Sequence, residues 1–330
     1  MQALVLTTEE IQIQTISKPV AAKGEVVIKV LYASLNRRDQ WARVGLYPGM
    51  TYNCVLGSDA CGIVESVGEG VESHWLGKEV VINPNQHWGD DPRHPNPKQY
   101  TILGMPQNGV FAEYVCVPAD RIHIKPSYLS SKEAAAIPLA GLTAYRACFY
   151  KGDIQKGHHV LVTGIGGGVA QFAAQFAKAA GAKVWVTSGS DEKIATMKSL
   201  YGVEGGVNYR KEDWHKELLK ESAGFDVIID SAGGNDFNLL LRTLKQSATL
   251  VFYGATLGSV KLDMPRVFFG QYTIKGTTMG NDQEFADMLA FIEKHQIRPV
   301  IDSVRPFSEI IEAFNDMRDG KIFGKVVIEM

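Results

Sequence analysis

The chain has 330 residues, 45% of them hydrophobic and 21% charged, a composition typical of soluble globular proteins and long enough for two domains. Its 34 basic residues against 36 acidic ones leave a net charge of −2 with no local basic stripe, which argues against a nucleic-acid partner and for a small molecule. Met1 to Glu10 carry no basic region and only a short apolar run before two acids, and no apolar stretch is long enough to span a bilayer, so a cytoplasmic protein with no membrane partner is expected.

Up to residue 125 the chain reads as β-rich. Runs at 25–31, 62–67, 79–82 and 111–117 cluster valine and isoleucine between glycine and proline turns, which predicts strands. Residues 83–108 form one long irregular stretch containing Pro84, Pro92, Pro95, Pro97 and Pro106, read as an extended surface lobe; His87, Trp88 and His94 place it at the mouth of a cleft or simply in solvent. Cys54, Cys61, Cys116 and Cys148 are too sparse for a disulfide scaffold and form no C-x-x-C pair, so they read as reduced and mostly buried. The remaining histidines are dispersed without metal spacing.

From residue 130 the pattern changes to alternation. Strands are expected near 159–163, 184–187, 206–208, 226–230, 248–253 and 272–277, with helices near 168–181, 190–200, 212–223, 236–244 and 282–295, which predicts a six-stranded, mostly parallel sheet. Residues 300–304 and 325–329 are again strand-like and flank a helix at 308–318. This tail has no place in a completed doubly wound sheet, so it is expected to cross back to the N-terminal domain, leaving a cleft between two lobes.

Residues 160–181 carry the strongest signal. Val160, Leu161 and Val162 run into Gly164, Gly166, Gly167 and Gly168, and the following helix places Val169, Phe172, Ala173, Phe176, Ala177 and Ala180 on one face at three- and four-residue steps. Such a strand, glycine turn and helix form a dinucleotide cradle: free backbone N–H groups at the helix start face a pyrophosphate, and residues without side chains let the backbone approach it. The next apolar strand ends in Ser188 and Ser190 with Lys193 close behind. Hydroxyl donors and a cation suit the 2′-phosphate of NADPH, whereas NADH needs an acid there. Asp191 and Glu192 are the competing acids; as first-turn residues of a helix they suit its dipole instead.

The order of these pieces resembles the medium-chain dehydrogenase/reductase superfamily over essentially the whole chain. The landmarks are Ala33-Ser-Leu-Asn-Arg-Arg-Asp39, Gly57-Ser-Asp-Ala-Cys-Gly-Ile-Val-Glu-Ser-Val-Gly68, Gly109-Val-Phe-Ala-Glu-Tyr114, the residues 134–145, the residues 225–234 and the closing 320–325. The resemblance is greatest to the zinc-free branch of quinone oxidoreductases and enone reductases. It implies an α/β protein: a GroES-like β-rich catalytic domain of residues 1–124 and 296–330, and a Rossmann doubly wound parallel six-stranded sheet of residues 125–295. Where zinc alcohol dehydrogenases carry a cysteine ligand and Gly-His-Glu, this chain has Asn36 and Gly57, Ser58 and Asp59; no cysteine stands near residues 138–141, and the lobe 83–108 lacks the four cysteines of a structural zinc. A catalytic zinc takes about three N, S or O protein ligands, so a metal-free site is expected. The glycine turn also departs from the usual fingerprint, with Ile165 at its first glycine and Ala170 at its last.

Without a metal, hydrogen bonds must polarise the substrate carbonyl while hydride arrives, and a side chain or water must supply a proton. The resemblance places Asn36, Tyr47, Ser58 and Asp59 at the catalytic site. Tyr47 is the proton-donor candidate or a packed aromatic at a turn; Asn36 orients a carbonyl or caps a turn. For the cofactor it implies Thr143, Gly166, Gly167, Gly168, Val169, Ser188, Ser190, Lys193, Tyr209, Arg210, Gly254, Gly280 and Asn281, with Tyr209 and Arg210 at the 2′-phosphate. Lys325 is read as a contact to cofactor phosphates or a plain surface lysine. The function expected is hydride transfer from NADPH to a quinone or α,β-unsaturated carbonyl; enoyl thioester reduction and an NADPH-binding regulator with little turnover are the rivals. A homodimer is implied, with 248–253 and 272–277 as candidate pairing strands.

Overall fold

In the computed structural model, which describes residues 1–330, the valine-rich run Glu25–Ser34 is the longest strand of the first of two units, Met1–Ala140 together with Asn281–Met330. It pairs antiparallel with Asp59–Val67, Tyr114–Pro118 and Lys325–Glu329, the last of which pairs parallel with Ile301–Pro306. The tail thus joins the N-terminal sheet. Ser34 lies opposite both Asp59 and Val327, so three strands bring polar residues to one place at their ends. A second sheet sets Gln2–Leu6 between Ile11–Thr15 and Cys54–Val55. Leu4, Leu6, Ile28, Leu56, Ile82, Phe111 and Phe314 fill the core between these strands, with the last two rings edge to face at 6.0 Å.

Residues 83–108 are less exposed than the proline pattern suggested. Asn85–Gln86 pairs with Thr101–Ile102, and Asn83, Asn85 and Trp88 are buried. The burial is possible because each of these side chains finds a partner for its N–H: Asn83 and Asn85 Nδ2 both donate to Asp282 Oδ1 at 3.0 Å, and Trp88 Nε1 donates to Asp91 O. The helix Asp282–His295 also groups with this unit, whereas the sequence reading gave it to the nucleotide-binding domain. Arg121 clamps its first residue through two bonds, 2.5 Å and 2.7 Å to the Asp282 carboxylate, and Phe285, Met288 and Ile292 are buried.

The second unit, Gly141–Gly280, holds six parallel strands in the order Gly205–Asn208, Lys183–Ser188, His159–Val162, Phe225–Asp230, Leu244–Phe252 and Thr273–Gly276. All six expected strands are present. Leu244–Phe252 has neighbours on both sides, so of the two expected pairing strands only Thr273–Gly276 stands at an edge. The helix Gly168–Ala179 buries more than one face: Gln171 and Gln175 are buried with Phe172 and Phe176, while Val169 is only half-buried. No helix of the protein is long and apolar enough to cross a membrane.

Candidate active site

The strand order of the second unit reverses at His159–Val162, whose neighbours are Lys183–Ser188 on one side and Phe225–Asp230 on the other. A reversal of this kind opens a crevice at the carboxyl ends of the strands, where ligands of doubly wound sheets bind. The glycine turn lies there. Gly164 has φ +64°, a left-handed conformation that favours glycine, and Gly167 is the exposed N-cap of Gly168–Ala179. A Cβ on Gly167 would meet only Gly164 O at 3.8 Å, leaving open space beside the free N–H groups. Such a cradle fits the pyrophosphate of a dinucleotide. Ile165, which stands where the fingerprint has glycine, is buried and donates its N–H to Thr187 O at 2.9 Å, so it plugs the turn against the neighbouring strand.

Asp230, which the sequence reading did not single out, ties the crevice together. Its Oδ1 accepts from Thr163 Oγ1 at 2.6 Å and its Oδ2 from the Ala232 and Gly233 N–H groups. The loops after two neighbouring strands are thereby fixed to one carboxylate. Gly254 packs close to Ser231, since a Cβ there would lie 2.8 Å from Ser231 O, and Thr143 is buried with its hydroxyl 3.8 Å from Met279 Sδ. At the end of Lys183–Ser188, a Cβ on Gly189 would lie 2.9 Å from both the Arg210 Nε and the Tyr209 hydroxyl. Glycine therefore admits these two side chains beside Ser188 and Ser190. Ser190 caps Asp191–Tyr201 by accepting from the Lys193 N–H, and Asp191 and Glu192 occupy the first turn, with Asp191 3.5 Å from Lys211. Asn281 is the N-cap of Asp282–His295 in the first unit, and Gly280 ends the second.

In the first unit the converging strand ends form a buried polar cluster. Asp59 is inaccessible to solvent; its Oδ2 accepts from Asn36 Nδ2 at 2.8 Å and Lys325 Nζ at 3.2 Å, and its Oδ1 from the Leu139 N–H at 2.8 Å. The Lys325 ammonium also donates to Asn36 Oδ1 at 2.7 Å and Leu35 O at 2.8 Å, so all three of its hydrogens are placed. Lys325 is therefore neither a surface lysine nor a contact to cofactor phosphates: the strand Lys325–Glu329 inserts beside Glu25–Ser34 and carries it inward. Asn36 is the N-cap of Arg37–Arg43 as well as a partner of Asp59.

Ser58 is also inaccessible, donating to Leu103 O at 2.8 Å and accepting from Arg38 Nη1 at 2.7 Å. Arg38 then reaches Tyr47, with Nε 3.2 Å from the hydroxyl oxygen and the guanidinium carbon 4.6 Å from the ring centre. Of the four expected catalytic residues only Tyr47 is half-exposed; Asn36, Ser58 and Asp59 form the frame beneath. Burial pushes the Asp39 carboxyl up to about 6, the Asp59 carboxylate adding to the rise while Arg38, the Asn36 N–H and Lys325 oppose it. Burial likewise raises the thiols of Cys54, Cys61 and Cys148, and that of Cys116 to about 12, which keeps them protonated and poor nucleophiles.

These residues do not make the ligand set a catalytic zinc takes. No three His, Cys, Asp or Glu side chains group to hold a metal, and the single carboxylate among Asn36, Ser58 and Asp59 is bound to an ammonium. Arg38 and Asp230 were missed, and Lys325 was placed at the surface or at cofactor phosphates, because nothing in their spacing distinguishes an inward charge from a solvated one. Arg37 is exposed, whereas the side chain of the adjacent Arg38 is only 9% exposed.

Comparison with known proteins matches residues 22–127 to the alcohol dehydrogenase GroES-like domain and residues 168–294 to the zinc-binding dehydrogenase family. A zinc-type alcohol dehydrogenase-like protein of Leptosphaeria maculans is 37% identical over 97% of this chain and 94% of its own, and one of Schizosaccharomyces pombe is 35% identical over 93% and 91%. A solved NAD-dependent alcohol dehydrogenase matches the whole of both chains at 34% identity with a TM-score of 0.94. With both portions matched in order and relatives of this identity spanning nearly its full length, the chain belongs to the medium-chain dehydrogenase/reductase superfamily and is an oxidoreductase of that family.

Proposed function

We propose that this oxidoreductase is a metal-independent, NADPH-dependent reductase of α,β-unsaturated carbonyls or quinones. The observation that carries the reading is the buried cluster of the first unit: where a metal site would need open donors, Asn36, Ser58 and Asp59 are closed by the Lys325 ammonium and the Arg38 guanidinium. Gly166, Gly167, Gly168 and Val169 would hold the pyrophosphate, and Ser188, Ser190, Lys193, Tyr209 and Arg210 the 2′-phosphate. When bound, the reduced cofactor supplies a hydride to the β-carbon of the enone. The displaced electron pair moves to the α-carbon and carbonyl oxygen, and Tyr47 supplies the proton that completes the saturated ketone. One NADPH and one proton are consumed per product, and solvent returns the proton to Tyr47.

The test is oxidation of NADPH by the purified protein with a conjugated enone in the presence of a chelator, with the product identified. Formation of the saturated ketone is expected. The relatives named alcohol dehydrogenase favour a second reading, interconversion of saturated alcohols and carbonyls, and the solved NAD-dependent relative makes NADH the competing donor. Turnover of a saturated alcohol that the chelator abolishes, or a higher kcat/KM with NADH, overturns the corresponding half of the proposal. Tight NADPH binding without turnover of any carbonyl or acyl thioester points to a regulator instead.

A further inference from the structure

We propose that Arg38 is a positioning residue for proton donation: it holds the Tyr47 hydroxyl oxygen from one side and leaves the hydroxyl hydrogen for the substrate. The inference rests on the reading of Tyr47 as the proton donor and adds what orients it. A guanidinium has donors only, so in the 3.2 Å contact between Arg38 Nε and Tyr47 Oη the tyrosine oxygen must accept. The hydroxyl hydrogen is not used in that bond. The same guanidinium lies 4.6 Å from the ring centre, so one group fixes both the ring and the oxygen.

Arg38 is itself immobilised. Its Nη1 donates to Ser58 Oγ at 2.7 Å and Leu103 O at 3.0 Å, and Ser58 Oγ donates onward to the same carbonyl. Its Nη2 is buried without a hydrogen-bond partner, and Asp39 Oδ1 stands 3.7 Å from Nη1, an ion pair outside hydrogen-bond range. A buried guanidinium left partly unpaired is costly to the fold, and conflicts of this kind gather at functional sites. The guanidinium, 3.7 Å from the Asp39 carboxylate through Nη1, turns its Nε to the atom that becomes negative. When Tyr47 gives its proton to the substrate, the O–H bond breaks, a bond to the substrate forms, and the oxygen anion remains beside Arg38 Nε until water returns the proton.

The experiment is a double-mutant cycle on the enone reaction with Arg38→Gln, Tyr47→Phe and the double variant, together with Arg38→Lys and the NADPH Kd of each. Tyr47→Phe is expected to lower kcat about a hundredfold and Arg38→Gln by about tenfold or more. In the Tyr47→Phe background Arg38→Gln should have no further effect on kcat, Arg38→Lys should recover part of the loss, and the NADPH Kd should stay within about twofold. If the losses multiply, or if Arg38→Gln leaves kcat intact while Tyr47→Phe lowers it, the Arg38 proposal fails and the donor reading stands. An unchanged kcat in Tyr47→Phe removes the donor reading itself. A readout without turnover is the fluorine resonance of 3-fluorotyrosine at position 47, expected to shift and broaden in Arg38→Gln; an unmoved resonance overturns the positioning role even where a variant folds poorly.

Discussion

Removing Lys325 leaves Asp59 as a charge inside the protein with no cation to answer it. Both side chains are almost wholly buried and 3.2 Å apart, and breaking such a pair from one side is far more damaging than never having made it. Lys325→Met is therefore expected to lose about 3 kcal/mol in urea unfolding; a loss under about 1 kcal/mol, the scale of exposed pairs, would mean that the cluster is open to water. Asp39 gives a test of opposite sign. Its folded carboxyl sits at about 6 against an ordinary 3.8, so below pH 4 both folded and unfolded states hold the proton. Between pH 4 and 6 the unfolded chain releases it first, and stability falls as pH rises, levelling above 6. Asn at 39 keeps an oxygen for the Asn36 N–H, which Asp39 Oδ2 now meets at 2.8 Å, and does not titrate. Asp39→Asn should gain on the wild type by up to about 3 kcal/mol between pH 4 and 7; a pH-independent difference would show that Arg38, the Asn36 N–H and Lys325 already balance the charge.

At the scale of elements, the glycine turn separates folding from binding. Gly167→Val places its Cβ in open space, so it is expected to cost about 1 kcal/mol at the helix cap. It should weaken NADPH binding at least about tenfold in a fluorescence titration, because the methyls occupy the space the pyrophosphate needs. Unchanged affinity would place the phosphates elsewhere. The parallel sheet was legible because its strands are continuous apolar runs separated by amphipathic helices and glycine turns. Pro138–Tyr145 was not, since Leu139, Ala140, Leu142 and Ala144 make it apolar on every side and periodicity has nothing to detect. Met264–Gly270 was missed for the reverse reason: Phe268 and Phe269 point outward, although Asp263 at its N-cap and Pro265 in its first turn were the available signal. The polar cluster was half legible. Position gave Asn36, Ser58 and Asp59, but the strand register that spends their hydrogen bonds on Lys325 and Arg38 joins residues 266 apart in sequence.

For the whole molecule, the open sheet edge argues for a second copy. Thr273–Gly276 has a neighbour on one side only, and an exposed edge of this kind invites pairing unless charge or a covering element blocks it. Beside it Phe268 and Phe269 are 59% and 75% exposed with their rings 4.5 Å apart, an apolar pair largely open to solvent. We therefore propose that two copies pair edge to edge about a twofold axis, each covering the phenylalanines of the other, since closed twofold pairing satisfies the edge without propagating a fibre. Light scattering at micromolar concentration should then return twice the 36.2 kDa of one chain. Phe269→Lys should shift the mass to that of one chain while leaving NADPH affinity unchanged, because the cradle at Gly167 is built from strands in the interior of the same sheet. A single-chain mass for the wild type removes the dimer, whereas a variant that stays paired moves the interface away from this edge.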